Sequence, residues 1–311
     1  MKILITGAAG QDGSYIADRY HKSGHKVLGI LSQNPNSKKH LFETSGIDLV
    51  DPVNAHLILD EFQPDLIFHL AAVHFASSEQ YLLTTKSKLE MYNCNVEITR
   101  NILEWQSKNI NSASLFALSS QMYSMERSGI YIKEDSILHP KNEYGESKKR
   151  AFDLIKKYRN ELNIKCFGAI LFNHTSLRNK NQFIFPQIAN QLRQLIIEEK
   201  VEITLNDPGA EIDISHSDEV CEGMMQLIDL PVGTDLVFSS GKSIKISELI
   251  IQFLREMNLN KHVSLIKKLA SNNSKKCLIG DATKAYNLIG WKTKRTPLEI
   301  LLEIYQYGLE A

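Results

Sequence analysis

Lys2-Ile-Leu-Ile-Thr6-Gly7-Ala-Ala-Gly10-Gln-Asp-Gly13 decides the fold. Four apolar or β-branched residues read as a short buried strand, and three glycines at a spacing of three follow it at once. An amphipathic stretch to about Ser23 then reads as a helix, ended by Gly24. Each glycine has a physical use here. The first permits a tight turn, the second lets the backbone approach a pyrophosphate, and the third lets helix and strand pack closely. Phosphates then meet the helix N-terminus, where free N–H groups and the macrodipole favour anions. A glycine triplet alone is an ordinary turn, but between a strand and a helix it predicts a dinucleotide site. Gly7, Gly10 and Gly13, with Gln11 and Asp12 between them, are assigned to it.

Working outward, strands and helices keep alternating. Lys26–Leu31 reads as a second strand, Leu66–Leu70 as a third, Ser114–Leu118 as a fourth and Lys165–Leu171 as a fifth. Asp51-Pro52 is an N-cap followed by proline at the first helical position, and that helix runs to about Phe62. Long helical patterns occupy Leu82–Lys108 and Glu143–Asn160, and later helices span Phe183–Glu198, Ser217–Ile228, Ser247–Met257 and Pro297–Tyr307. Parallel neighbours need helical crossovers, so this order predicts an α/β, Rossmann-type doubly wound parallel sheet. Residues 1–173 form the dinucleotide-binding part, and 174–311 a smaller, mostly substrate-binding and capping region.

The bulk numbers agree with an ordinary globular enzyme. Of 311 residues, 43% are hydrophobic and 23% charged, with 36 basic and 36 acidic side chains. That balance argues against a nucleic-acid-binding surface. No signal-peptide pattern and no membrane-length apolar run is evident, so a cytoplasmic protein without membrane contact is expected. Cys94, Cys166, Cys221 and Cys277 are far apart and read as free, buried thiols. His69, His74 and His216 lack metal-ligand spacing, so no metal is expected; they read as core or hydrogen-bonding residues. Trp105 and Trp291 read as packing residues.

Tyr144 and Lys148 share one helical face, one turn apart. A tyrosine ordinarily titrates near 10. An adjacent ammonium, with a cationic nicotinamide ring, is expected to favour the tyrosinate and fit it for acid–base work. Ser119 follows the fourth strand, where such sheets carry reactive groups, and is placed to bond the same substrate oxygen. For the cofactor, Asp48-Leu49 is expected at the adenine and Ala71-Ala72 at the next strand end. The second strand ends in Gly29-Ile-Leu-Ser32-Gln33, with neither an acid for a ribose diol nor an arginine. Ser32, with Lys38 or Lys39, suits a 2′-phosphate, so the reading leans to NADP, with NAD left open.

These residues make the chain similar to the extended short-chain dehydrogenase/reductases over nearly its whole length. The carriers are TGAAGQDG, ALSSQMY, YGESK, and Gly280-Asp-Ala-Thr-Lys-Ala with Ile289-Gly-Trp291. Within that group Gly10-Gln-Asp-Gly-Ser-Tyr15 and Ile170-Leu-Phe-Asn-His174, followed by Ser176 and Arg178, resemble the GDP-mannose 4,6-dehydratases. The resemblance implies the Ser/Thr role for Ser119, acid/base chemistry for Tyr144, and ribose binding with pKa control for Lys148. It implies a substrate-phosphate contact for Asn173, and Arg178 and His74 are placed on the substrate side. It breaks at Gln121, where dehydratases carry a glutamate that handles the proton and hydroxyl of water loss. An amide does neither, and losing a general acid or base costs about 10²–10⁴-fold. Gln187, Glu211 and roughly Ser271 stand where dehydratases carry basic contacts to the diphosphate; Arg178, Arg193, Lys267 or Lys268 are candidate replacements. The leading expectation is therefore a 4-keto reductase or epimerase acting at C4 of a nucleotide sugar. A 4,6-dehydratase that recruits another group and a non-catalytic dinucleotide sensor are the alternatives. The helices over Leu82–Lys108 and Glu143–Asn160 are expected to pair in a homodimer.

Overall fold

A strand covered by helices on both faces must be apolar on both, and Ile3, Leu4, Ile5 and Thr6 are all fully buried. The computed structural model describes residues 1–31, 41–74, 84–124, 131–197, 203, 207, 209–259 and 277–310. Its first half runs β1 (Lys2–Thr6), α1 (Gln11–Lys22), β2 (Lys26–Ile30), β3 (Glu43–Ser45), α2 (Pro52–Phe62), β4 (Leu66–His69), α3 (Thr85–Tyr92), α4 (Ile98–Lys108) and β5 (Ala113–Ser119). Then come β6 (Tyr131–Ile132), α5 (Glu143–Leu162), β7 (Cys166–Leu171), β8 (Asn173–Thr175), α6 (Ile184–Ile197), β9 (Glu211–His216) and α7 (Ser217–Leu227). The chain closes with β10 (Asp235–Phe238), β11 (Ser243–Lys245), α8 (Ile246–Glu256), β12 (Ile279–Gly280), α9 (Thr283–Ile289) and α10 (Pro297–Glu310).

The central sheet has seven strands in the order β10-β7-β5-β4-β1-β2-β3, all parallel. Period-two alternation sends Leu4, Ile67, Phe116 and Ile170 to one face, against α2, α4 and α5. Ile3, Ile5, Phe68 and Phe167 point the other way, against α1 and α7. The doubly wound sheet expected from the sequence is thus present. Strand order reverses between β1 and β4, and ligands of such sheets bind at that switch point, outside the carboxyl ends.

Three features lie beyond the sequence expectation. First, β3 is short and mostly exposed, without the apolar run that marks a buried strand. Second, the edge strand β10 and the covering helix α7 both come from beyond residue 174, so the C-terminal region is threaded into the main sheet. What stands apart is a core of its own: Phe185, Ile188 and Leu192 of α6, Leu249 and Phe253 of α8, and Ile300 and Ile304 of α10, closed by Ile214 of β9. Third, the long helix expected to end at Lys108 is two helices joined by a π-helical turn at Asn93–Glu97; its first residues, Leu82 and Leu83, lie outside the described residues. A π-turn re-aims the side chains that follow it, and here that affects the site. Among the described residues no helix is long and apolar enough to cross a membrane, and all four cysteines are free.

Candidate active site

The glycine turn shows why no larger residue would serve. Gly7 sits at φ +71°, and a Cβ there would lie 2.9 Å from the Ala71 nitrogen. A Cβ on Gly13 would meet the Gly7 carbonyl oxygen at 2.2 Å and the Ala8 Cα at 2.8 Å. Gly10 caps α1 without a side-chain hydrogen bond, so the first turn offers its backbone N–H groups outward. This is the uncapped, Cβ-free cradle a pyrophosphate requires, and a dinucleotide fits it.

Thr6, at the end of β1, ties the turn to the neighbouring strand. Its buried hydroxyl accepts from the Leu70 and Ala71 N–H groups at 3.1 and 3.0 Å and donates to His69 Nδ1 at 2.8 Å. Burial, reinforced by Lys148, holds the His69 pKa down to about 3, so the imidazole is neutral, with its proton on Nε2. His69 is thus a core histidine that shapes the strand ends. Ala71 and Ala72 follow directly at the rim. On the far side of the turn, Asp48 accepts from the Val50 N–H at 2.9 Å, and buried Leu49 is held through its carbonyl by Asn101 Nδ2 at 2.9 Å. Ser32, Lys38 and Lys39 lie outside the described residues.

Ser119, Tyr144 and Lys148 come together at the carboxyl end of β5. His69 on β4 is level with Phe116, so Ser119 stands further out along its strand, towards the site. α5 opens at Asn142, whose Oδ1 accepts from the Gly145 N–H at 2.8 Å, and carries Tyr144 and Lys148 on its first turns. The helix approaches β5 closely because residue 145 is glycine: a Cβ there would lie 2.1 Å from the Gln121 carbonyl oxygen. The Tyr144 phenol lies beside Ser119, whose hydroxyl favours the ionised phenol. Lys148 Nζ donates to the Ala117 carbonyl at 2.8 Å and lies 5.9 Å from the centre of the Tyr144 ring.

The acid–base balance differs from the sequence expectation. Burial pushes the Tyr144 phenol up; the nearby Ser119 hydroxyl opposes this, while Asp12 and Cys94 add to it. Although Tyr144 as a whole residue is only partly buried, its hydroxyl end is enclosed, so desolvation of the phenolate decides the direction. Lys148 is itself pulled down by burial to about 8. The protein alone therefore holds a neutral phenol beside a lysine whose proton is loosely held, rather than a ready tyrosinate.

Gln121 follows Ser119 in a short 3-10 turn, and its N–H donates to Ser119 Oγ at 3.2 Å. Its amide has a fixed sense, because Asn142 Nδ2 donates to Gln121 Oε1 at 2.8 Å. That leaves the NH2 group without a hydrogen-bond partner among the described residues. Asn142 was not foreseen as a site residue, although an asparagine before Glu143-Tyr144 is an N-cap signal. Asn95 was also missed. Lying in the π-turn, it accepts from the Val73 N–H at 3.0 Å and donates to the Val73 carbonyl and Ser147 Oγ at 3.2 and 3.0 Å. It fastens the segment after β4 to α5, and nothing in the sequence marks a π-turn there.

The substrate-side residues divide. His74 packs edge-on against Tyr144 with ring centres 4.5 Å apart and stacks on Phe183 at 5.9 Å, so it walls the site. Asn173 is exposed and donates to the Asp213 carbonyl at 3.3 Å. Arg178 lies along α1: its guanidinium lies 4.0 Å over the Tyr15 ring, bonds Ser14 Oγ at 3.0 Å and pairs with Asp18 at 2.9 Å. Arg193 likewise donates to the Ile304 and Tyr305 carbonyls and to Asn190, which removes it as a replacement diphosphate ligand. Gln187 is exposed and bonds the Gln182 carbonyl, and Glu211 accepts from Ser243; neither offers a positive charge. Ser271, Lys267 and Lys268 lie outside the described residues. Asp12 points its carboxylate at His174, 2.9 Å away, rather than into the open turn. Trp105 and Trp291 are buried, each satisfying its indole N–H, on Asp60 and on the Glu219 carbonyl.

With this geometry in place, comparisons with known proteins are specific. The sequence model of the GDP-mannose 4,6 dehydratase family matches residues 4–304. GDP-mannose 4,6 dehydratase 1 of Arabidopsis thaliana is 25% identical over 94% of this chain and 85% of its own length. The GDP-mannose 4,6 dehydratase of Homo sapiens is 24% identical over 99% of this chain and 91% of its own. Among solved structures, a UDP-glucose 4-epimerase from Thermotoga maritima with UDP-glucose superposes with a TM-score of 0.83 at 18% identity, covering 100% of this chain and 99% of that one. A UDP-glucuronic acid 4-epimerase from Bacillus cereus, with UDP-glucuronic acid and NAD, gives a TM-score of 0.79 at 21% identity, with 100% and 99% covered. The structural likenesses establish the shared fold.

Proposed function

Since the chain belongs to the GDP-mannose 4,6 dehydratase family, we propose that it uses a nicotinamide dinucleotide to move hydride to or from C4 of a nucleotide-activated sugar, as a 4-keto reductase or epimerase. The observation that carries this reading is the placement of Ser119, at the carboxyl end of β5, beside Tyr144, with Lys148 one turn further along α5 and anchored on the Ala117 carbonyl. Tyr144 gives the O4 proton when the C4 ketone is reduced and takes it when the alcohol is oxidised, and Ser119 orients that oxygen while accepting from the Gln121 N–H. A bound nicotinamide would supply hydride to C4 in its reduced form, and in its oxidised form would accept hydride and carry a positive charge. Such a charge favours tyrosinate, countering the burial that raises the phenol. Lys148 lies within reach of a ribose and, near 8, can take up or release a proton at physiological pH.

Gln121 supports reduction or epimerisation over dehydration. Its amide is held by Asn142 and cannot exchange a proton, so it offers a hydrogen bond to the sugar's C5–C6 side and no acid or base for water loss. The family match favours a second reading, a GDP-mannose 4,6-dehydratase in which another group handles that proton; a dinucleotide sensor is less economical, because a sensor has no need of the enclosed Tyr–Ser–Lys arrangement. The absence of an acid at the end of β2 supports NADP over NAD, and the adjoining faces of α4 and α5 are proposed as the homodimer contact. Incubation with NADPH and a panel of 4-keto-6-deoxy nucleotide sugars should oxidise the cofactor with at least one of them, and a Tyr144→Phe variant should lose the activity. No oxidation with any of them, together with a 4-keto product from GDP-mannose by mass spectrometry, would replace the reductase reading with the dehydratase one.

A further inference from the structure

The segment from Phe172 to Arg178 runs along the first two turns of α1, and every second residue grips it. Ser176 Oγ donates to Gln11 Oε1 at 3.1 Å, Arg178 reaches Ser14 and Asp18, and His174 Nε2 lies 2.9 Å from Asp12 Oδ2. The His174 contact presents an electrostatic puzzle. Asp12 is in the first turn of the helix whose N-terminus forms the phosphate cradle. A carboxylate there gains from the macrodipole, but an unscreened negative charge at the same place repels a pyrophosphate.

His174 answers it through its two nitrogens. Nδ1 faces the Phe172 carbonyl at 2.7 Å and Nε2 faces the Asp12 carboxylate at 2.9 Å. Both partners are acceptors, so both ring nitrogens carry protons. Burial alone would lower the His174 pKa, but Asp12 and the Phe172 carbonyl raise it on balance. The surroundings leave this charge to Asp12. From α7 the Cys221 thiol, pushed well up by burial, donates to the Asp12 backbone carbonyl at 3.6 Å. From β9 the residue in register with His174 is Ser215, which is uncharged. From α1, Gln11 is neutral, and Asp18 is taken by Arg178.

We propose that His174 is a positioning residue that cancels the charge of Asp12, so that the first turn of α1 accepts the pyrophosphate of a dinucleotide. This rests on the cofactor reading given above. Two unit charges several ångströms apart in a partly solvated site interact strongly enough to change an affinity roughly tenfold.

The test is calorimetric titration of NADP⁺ and NAD⁺ into wild type, His174→Gln, Asp12→Asn and the double variant at low ionic strength, with circular dichroism to verify folding. His174→Gln should weaken binding of the preferred dinucleotide roughly tenfold. The double variant, which removes both charges, should recover to within about threefold of wild type, a rescue no purely structural role predicts. Unchanged binding by His174→Gln, or a double variant as weak as that single one, overturns the proposal. Should His174→Gln fail to fold, Asp12→Asn decides: retained affinity supports charge cancellation, and a loss beyond tenfold refutes it. A wild-type protein that binds neither dinucleotide would instead remove the cofactor reading itself.

Discussion

Lys148 provides a stability prediction with a sign that can be worked out. Its ammonium is buried, with only 4% of the residue exposed, and desolvation lowers its pKa from an ordinary 10.5 to about 8. Below 8 the lysine is protonated in both folded and unfolded chains, and the folded state bears the full cost of the buried charge. Each pKa unit corresponds to about 1.4 kcal/mol, so that cost is about 3 kcal/mol at pH 7. Between 8 and 10.5 the unfolded chain binds more protons than the folded one, so stability rises with pH and the cost fades, to below about 1 kcal/mol at pH 10. Lys148→Met keeps the side chain's length and removes the charge, but it leaves the Ala117 carbonyl without its donor, which costs about 1–3 kcal/mol at any pH. At pH 7 the two effects nearly cancel or slightly favour the variant. Urea denaturation of both proteins from pH 7 to 10 isolates the electrostatic part, because every other titrating group is shared. The variant's stability relative to wild type should fall by about 2–3 kcal/mol across that range. A difference independent of pH would refute the claim that Lys148 is held as a destabilised ammonium.

Other predictions follow from particular atoms. Gly13→Ala places a Cβ 2.2 Å from the Gly7 carbonyl, so dinucleotide binding in a thermal-shift assay should disappear. Gly46→Ala, where a Cβ meets nothing within 4 Å, should leave it unchanged. Gly145→Ala pushes α5 off the Gln121 carbonyl and should lower kcat by separating Tyr144 from Ser119, with a smaller effect on cofactor affinity. Gln121→Glu keeps an acceptor for the Asn142 amide and restores an ionisable group, so it should release a 4-keto-6-deoxy product from GDP-mannose, read by mass spectrometry, where wild type does not.

The sequence disclosed what depends on local rules. Strand, glycine turn and helix are contiguous, and each glycine serves a contact within its own turn, so the cradle at Gly7–Gly13 was readable. Tyr144 and Lys148 were readable because four residues is one helical turn. What escaped depends on where distant segments meet. Asn95 reaches Val73 and Ser147 only because the helix slips to a π-turn, a choice made by packing against α5. β10 joins the sheet from beyond the expected boundary because an open parallel sheet accepts a strand wherever a crossover delivers one. Tyr144 was expected to be acidified by its lysine neighbour, but the sequence does not tell how deeply the phenol is enclosed, and desolvation pushes it up instead.

Arg178 has partners that the sequence does not reveal. An arginine in a segment that resembles a substrate-binding motif invites assignment to a diphosphate. Yet the same extended chain carries it onto α1, where Tyr15 offers a ring face at 4.0 Å and Asp18 a carboxylate at 2.9 Å. A guanidinium that already has a stacking partner, an ion pair and a hydroxyl has little to gain by leaving them for a substrate. The alternation along this strand then separates two tasks. Residues 174, 176 and 178 hold α1, and Asn173, out of phase with them, stays exposed. On the nucleotide-sugar reading, Gln187 and Glu211 bring no positive charge to a diphosphate, so uncharged hydrogen bonds are expected to carry more of the recognition by this chain. Its affinity should accordingly depend less on salt than that of an enzyme that binds the diphosphate with fixed charges.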